Sequence, residues 1–193
     1  MKEQLNHQFP ASIQEIQFGS LKIFAAVAPN VEKADDIKSR IECTGRRDIV
    51  KIPLDNNILV LTTDGLETYS AENPYKTGSP SDAVYLARRK NAQGEFLVQY
   101  LQPGQRTSHH RHPSSVEVYQ KLSGSLLILR SAREVTKLET KTIIAQDEPH
   151  IIFTGSEPAI TLILLFGENT NHVRLRRPSF KSLMNKAALE RLI

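Results

Sequence analysis

The sequence predicts a mainly β protein of the sandwich or barrel kind, with an α+β extension in front and a helix behind. Three observations lead there. From Ala83 onward, short β-rich runs follow one another with turn residues between them. Before that point helical and strand patterns mix, and from Ser179 the apolar spacing becomes helical.

The elements are expected in the following order. Pro10 to Phe18 reads as a short helix and Leu21 to Val27 as an apolar strand. Asn30 is a good N-cap for a helix to about Cys43, with Val31, Ala34, Ile37, Lys38 and Ile41 on its inner face and Gly45 as its stop. Asp48 to Leu54 and Ile58 to Thr63 read as strands joined by the turn Asp55-Asn56-Asn57. Ala71 to Asp82 is the longest turn-rich stretch, with Asn73-Pro74, Gly78 and Ser79-Pro80. It is the expected boundary between an extension over 1–80 and a β domain over 81–178. In that domain, strands are expected at Ala83 to Arg89, Glu95 to Leu101, Val116 to Leu122, Ser125 to Arg130, Lys141 to Ile144, His150 to Thr154 and Ile160 to Phe166. Phe180, Leu183, Met184, Ala187, Ala188 and Leu192 set the helix over 179–193, with Ser179 as its N-cap.

Composition bounds the function. A chain of 193 residues, 24% charged and 39% hydrophobic, has the make-up of a globular protein and the length to bury a core without staples. No apolar run reaches the ~18 residues of a membrane helix; the longest, Ala159 to Phe166, is interrupted by Thr161. The opening MKEQLNHQFP has no apolar stretch of the signal-peptide kind, and the one cysteine, Cys43, fits a reducing compartment, so the cytoplasm is expected. The net charge of +4, with 6% aromatics, argues against a nucleic-acid binder and for tolerance of anionic small molecules.

The histidines carry the chemistry. His109, His110 and His112 lie together, and on a strand His110 and His112 share a face that His109 does not. If the chain breaks at Pro113 and resumes near Val116, Glu117 returns to that face, with Tyr119 and Lys121 following inward. A strand starting at His150 supplies a third imidazole. Three imidazoles and a carboxylate suit one divalent transition metal, such as Fe(II), Mn, Ni, Cu or Zn, and leave positions open for substrate or water. His7 and His172 read as ordinary polar residues, and His109 as an outer residue able to orient an imidazole.

The stretch from Gly104 to Gly124 resembles the first conserved motif of the cupins: Gly, five residues, His-x-His, a short gap, Glu, six residues, Gly. The family's second motif ends in a metal-binding His followed four positions later by Asn, with Gly and Pro-x-Gly before it; here His150 is present, Thr154 replaces the Asn, and the glycines are missing. The resemblance implies a double-stranded β-helix (jelly-roll) barrel, a metal on His110, His112, Glu117 and His150, and a homodimer. Pro103-Gly-Gln-Arg-Thr-Ser108 is also similar to a segment of the type II phosphomannose isomerase cupins, in which a Gln takes the place of His110 and an Arg that of Ile151. That likeness makes Arg106 and Lys121 candidates for holding an anionic group, and Tyr119 or Lys121 for proton transfer. Two functions follow: a metal-dependent isomerase, epimerase or dioxygenase acting on a small polar or anionic substrate, or a non-catalytic cupin that binds or senses a small ligand.

Overall fold

The computed structural model describes residues 12–76, 83–130 and 134–175. The expected helix over 179–193, His7, and the end of the expected boundary segment (77–82) lie outside the described residues.

The N-terminal part is a four-stranded antiparallel sheet backed by one helix. Its elements are β1 (Gln14–Phe18), β2 (Leu21–Ala28), α1 (Val31–Glu42), β3 (Ile49–Leu54) and β4 (Asn57–Thr62), in the sheet order β1-β2-β4-β3. Where a short helix was expected, β1 is a strand, because Ile16 and Phe18 are buried at a spacing of two and the segment pairs with β2 from Gln14↔Ala25 to Phe18↔Leu21. Asn30 caps α1 as expected, its Oδ1 accepting from the Lys33 amide at 2.9 Å. Ala34, Ile37 and Ile41 face the sheet, but Val31, placed inside by the sequence pattern, is 61% exposed. The alternation of strand side chains splits the sheet's contacts. Phe24, Ala26, Ala28 and Val60 take the helix, and Ile23, Ala25, Leu59 and Leu61 take the second sheet.

That second sheet is the barrel. It comprises β5 (Glu67–Thr68), β6 (Val84–Asn91), β7 (Gly94–Leu101), β8 (His110–Arg111), β9 (Val116–Arg130), β10 (Val135–Lys137), β11 (Lys141–Ile144), β12 (His150–Phe166) and β13 (Val173–Arg174). The main order is β10-β9-β12-β7-β6-β5, with β11 beside β9, and β8 between β12 and β13. Two strands are longer than expected. β9 joins the strands expected at 116–122 and 125–130, and β12 joins those at 150–154 and 160–166. The turn signals at Ser123-Gly124 and Gly155 mark bends in these strands, not their ends. β9 and β12 pair from His150↔Arg130 to Phe166↔Val116, with register irregularities between Thr154 and Ala159. On its other side the first half of β9 takes β11 and the second half takes β10. Two bent strands wound together through both walls make a double-stranded β-helix.

Both glycines that bracket the first motif have a geometric reason. Gly104 (φ +73°) follows Pro103 in a turn closed by the Gln105 amide on the Gln102 carbonyl at 3.1 Å, the pattern of a type II turn. Gly124 (φ +78°) sits at the bend of β9, where a Cβ would overlap the Pro158 carbonyl oxygen of β12. The barrel's outer face (Phe96, Val98, Val118, Leu162, Leu164) shares one core with the N-terminal sheet.

A bulge in β6 matters for the interior. Tyr85 pairs with Gln99, but the next pair is Ala87 with Val98, so Leu86 is an extra residue. Leu86 and Ala87 both enter the outer core, and the following positions change sides. Arg88 and Lys90 thereby come to line the barrel's cavity together with Tyr85.

Candidate metal centre

His110 lies on β8, His112 just beyond it, Glu117 near the start of β9 and His150 at the start of β12. The pairing His150↔His110 places two of the imidazoles side by side, with ring centroids 4.3 Å apart. One ligand-type atom from each of the four residues falls within 4.8 Å of the others, and all four residues are buried. The first motif and the second-motif histidine thus meet inside the bent sheet, at the positions the sequence assigned. The barrel has the cupin fold.

The imidazoles of this site are oriented from behind. His110 Nδ1 lies 2.7 Å from the Ser108 carbonyl, His112 Nδ1 3.2 Å from that of Thr170, and His150 Nδ1 3.0 Å from that of Glu148. A carbonyl only accepts, so each Nδ1 carries a proton, and each imidazole in its neutral form presents the Nε2 lone pair to the centre of the cluster. His150 Nε2 and Glu117 Oε2 are 2.8 Å apart, and His112 Nε2 is 3.6 Å from the same oxygen. Yet His150 Nε2 and Glu117 Oε2 are buried without a hydrogen-bond partner. Buried polar atoms left this way are rare. A cation shared by three imidazoles and a carboxylate would satisfy them together, so the residues present fit a borderline divalent metal.

Without a metal, the same four residues set one another's charge. Burial pushes the Glu117 carboxyl up, but the surrounding imidazoles, His150 foremost, outweigh it and hold it at about 2. Burial, and then His150, push His110 down to about 3. His150 is raised despite its burial, because Glu117 faces it. The Tyr119 hydroxyl, next along β9, is raised well above 10, by burial and then by Glu117.

The second motif's departures have structural answers. The turn before His150 needs one left-handed residue, and Asp147 (φ +63°) supplies it in place of a glycine. Its amide donates to the His112 carbonyl at 2.9 Å and its carboxylate pairs with Arg111 at 2.9 Å. Thr154, in place of the Asn, donates to the Gln102 carbonyl at 2.6 Å and so ties β12 to the Pro103-Gly104 turn.

The site opens into a cavity of about 210 Å³. Tyr119 lines it; Arg106 and Lys121, expected beside it, do not. Arg106 instead forms a bridge with Phe153, and the Lys121 amide donates to the Thr140 carbonyl. His109 also stays outside, its carbonyl accepting from the Leu175 amide. Among the cavity residues that sequence reasoning missed are Tyr75, Tyr85, Arg88, Lys90, Glu95 and His172. His172, read as an ordinary polar residue, stands 5.5 Å from the His110 ring and 6.1 Å from that of His112. It is carried there by the segment 167–175, which also supplies the Thr170 carbonyl to His112.

No protein-family model matches the chain, and no curated protein sequence matches it. Similar solved structures include an uncharacterised conserved protein with a double-stranded beta-helix domain from Klebsiella pneumoniae subsp. pneumoniae, 19% identical, covering 53% of this chain and 90% of that one, with a TM-score of 0.45. A cupin-like protein from Thermotoga maritima is 10% identical, covering 62% and 91%, with a TM-score of 0.49. The DMSP lyase DddQ from Ruegeria pomeroyi is 19% identical, covering 54% of this chain and 60% of that one, with a TM-score of 0.45. No helix among the described residues is long and apolar enough to cross a membrane.

Proposed function

We propose that this cupin is a metal-dependent enzyme, an isomerase, epimerase or dioxygenase, acting on a small polar, anionic substrate. The observation that carries this reading is the convergence of His110, His112, Glu117 and His150, with two of their buried polar atoms left without a hydrogen bond. A bound divalent metal would supply Lewis acidity, polarising a substrate oxygen. The chain's own residues do the rest. The backbone carbonyls of Ser108, Thr170 and Glu148 fix the imidazoles, and the apolar side chains of Leu97, Ile163 and Leu165 limit water in the cavity.

An enzyme is favoured over a storage or sensing protein because the interior is not apolar beyond the four ligands. The Tyr119 hydroxyl, kept protonated by burial and by Glu117, stands beside them as a proton donor. Tyr85, pushed up to about 12 by burial, is a second neutral hydroxyl in the same cavity. Lys121 and Arg106 do not line the cavity, so Tyr119 is the proton-transfer group in this proposal.

The test is elemental analysis of the purified protein beside His112→Ala. About one transition-metal ion per chain, lost in the variant, is expected. Its identity then directs the assays, iron toward oxygen uptake and zinc or manganese toward isomerisation. A wild type that holds no metal after reconstitution overturns the reading.

A further inference from the structure

We propose that Arg88 is the anchor for a carboxylate, so that the ligand of this cavity is a short carboxylic acid with an oxygen function at its other end. The placement of that second oxygen rests on the metal-site reading above; the anchor does not.

The bulge at Leu86 turns Arg88 into the barrel, and two contacts then hold its guanidinium. Arg88 Nε donates to Glu95 Oε1 at 2.8 Å. The second Glu95 oxygen is occupied by the Thr170 hydroxyl at 3.0 Å, so the carboxylate is fixed in turn. The Tyr75 ring lies 4.6 Å from the guanidinium carbon, and Tyr75 is itself held by a two-way backbone bridge to Tyr85. Glu95 takes only the Nε side. The Nη1 and Nη2 groups make no hydrogen bond among the described residues, and Arg88 lines the cavity. A guanidinium pinned along one side and stacked on one face offers a single planar edge, which matches the two oxygens of a carboxylate.

Strand register relates this edge to the four ligands. Arg88, Leu97, Ile163 and Tyr119 form one row across β6, β7, β12 and β9. Lys90, Glu95, Leu165 and Glu117 form the adjacent one. Three strand spacings, ~14 Å along the sheet and less across the curve of the barrel, separate the ends of each row. The apolar side chains between the ends suit a few carbon atoms, and the cavity of about 210 Å³ has room for a short ligand between them. Charge points the same way. Arg88 and Lys90 offset Glu95 and Glu117, so the charge of any bound cation is left for the ligand to balance.

The experiment is calorimetric titration with sodium lactate and with its neutral isostere lactamide, on metal-free and on zinc-reconstituted protein. Zinc content is measured in every sample. Wild type is compared with Arg88→Lys, which keeps the ion pair to Glu95 and removes the planar fork, and with the double variant Arg88→Gln/Glu95→Gln, which removes the pair together. Lactate is expected to bind at least about tenfold more tightly than lactamide to wild type. That preference should be lost in the double variant and weakened in Arg88→Lys, with zinc content unchanged. A wild type that retains no zinc yet prefers lactate on metal-free protein, with the preference lost in the double variant, refutes the metal reading and sustains the anchor. Equal affinities for lactate and lactamide in wild type, a lactate preference that survives in the double variant, or tighter binding of methyl phosphate than of lactate overturns the anchor.

Discussion

Replacing Gly124 by alanine tests the bend that brings the two halves of the site together. Two costs are set by the structure. A non-glycine residue at φ +78° costs about 1–2 kcal/mol. The new Cβ would also overlap the Pro158 carbonyl oxygen and lie 2.9 Å from Ala159 Cα, both backbone atoms of β12 that no rotamer change relieves. Overpacking of this kind adds about 1–3 kcal/mol. The unfolded chain returns about 0.4–1 kcal/mol through its reduced freedom. The net loss is about 1–5 kcal/mol, or a fall in Tm of roughly 2–18 °C for a chain of this size. Gly104→Ala is the internal control, because its φ is +73° but nothing lies within 4 Å of the added Cβ; it should show the backbone cost alone. Urea unfolding followed by circular dichroism, with Tm as a second measure, reads the difference. If Gly124→Ala costs no more than Gly104→Ala, contact between β9 and β12 does not fix the bend, and the reasoning fails.

Two further outcomes follow from the packing and the charges. Phe96→Ala removes a fully buried ring, 6.1 Å from that of Phe18, where the barrel meets the N-terminal sheet. It should cost about 3–5 kcal/mol and leave one cooperative transition, because the two sheets share a core; two separate calorimetric transitions in wild type would contradict that. The metal-free protein should be most stable near the intrinsic histidine pKa of about 6.5. His109 and His172 are lowered, mainly by burial, and His110 is lowered to about 3, so the unfolded state binds more protons below pH 6.5 and stability is lost as pH falls. Glu117, held at about 2, adds a loss in the same direction below about pH 4.5. His150 is raised, so its contribution is present below pH 6.5 and is lost as pH rises through its folded value. The acid limb should fall by on the order of 1 kcal/mol per pH unit, and stability that rises steadily from pH 6.5 down to 4 would refute the assignment of these environments.

How far the fold and the site were legible depended on whether local periodicity survived into the folded chain. The four expected ligands converged because strand alternation fixes side-chain direction, and because His110, His112 and Glu117 fall within a few residues of one another. The expected helix at Pro10 to Phe18 failed where Ile16 and Phe18 followed a period of two, a signal too short to separate from helix without the partner strand β2. Ser123-Gly124 was a true signal of a change in direction, but a bend within a paired strand and a turn between strands use the same residues. His172 had no local signal at all, since the pairing of β13 with β8 brings it to the site. Arg88 is the most instructive case. Simple alternation from Tyr85 would send Arg88 outward with Leu86, and the run Arg88-Arg89-Lys90 then reads as a solvated charged edge. One extra residue at Leu86 reverses that parity. Such irregularities are over-represented beside active sites because they re-aim a side chain without altering the sheet around it. The place where the strand pattern breaks is therefore where the cavity gains Arg88 and Lys90, and an alternation rule applied without the partner strand's register could not have found them.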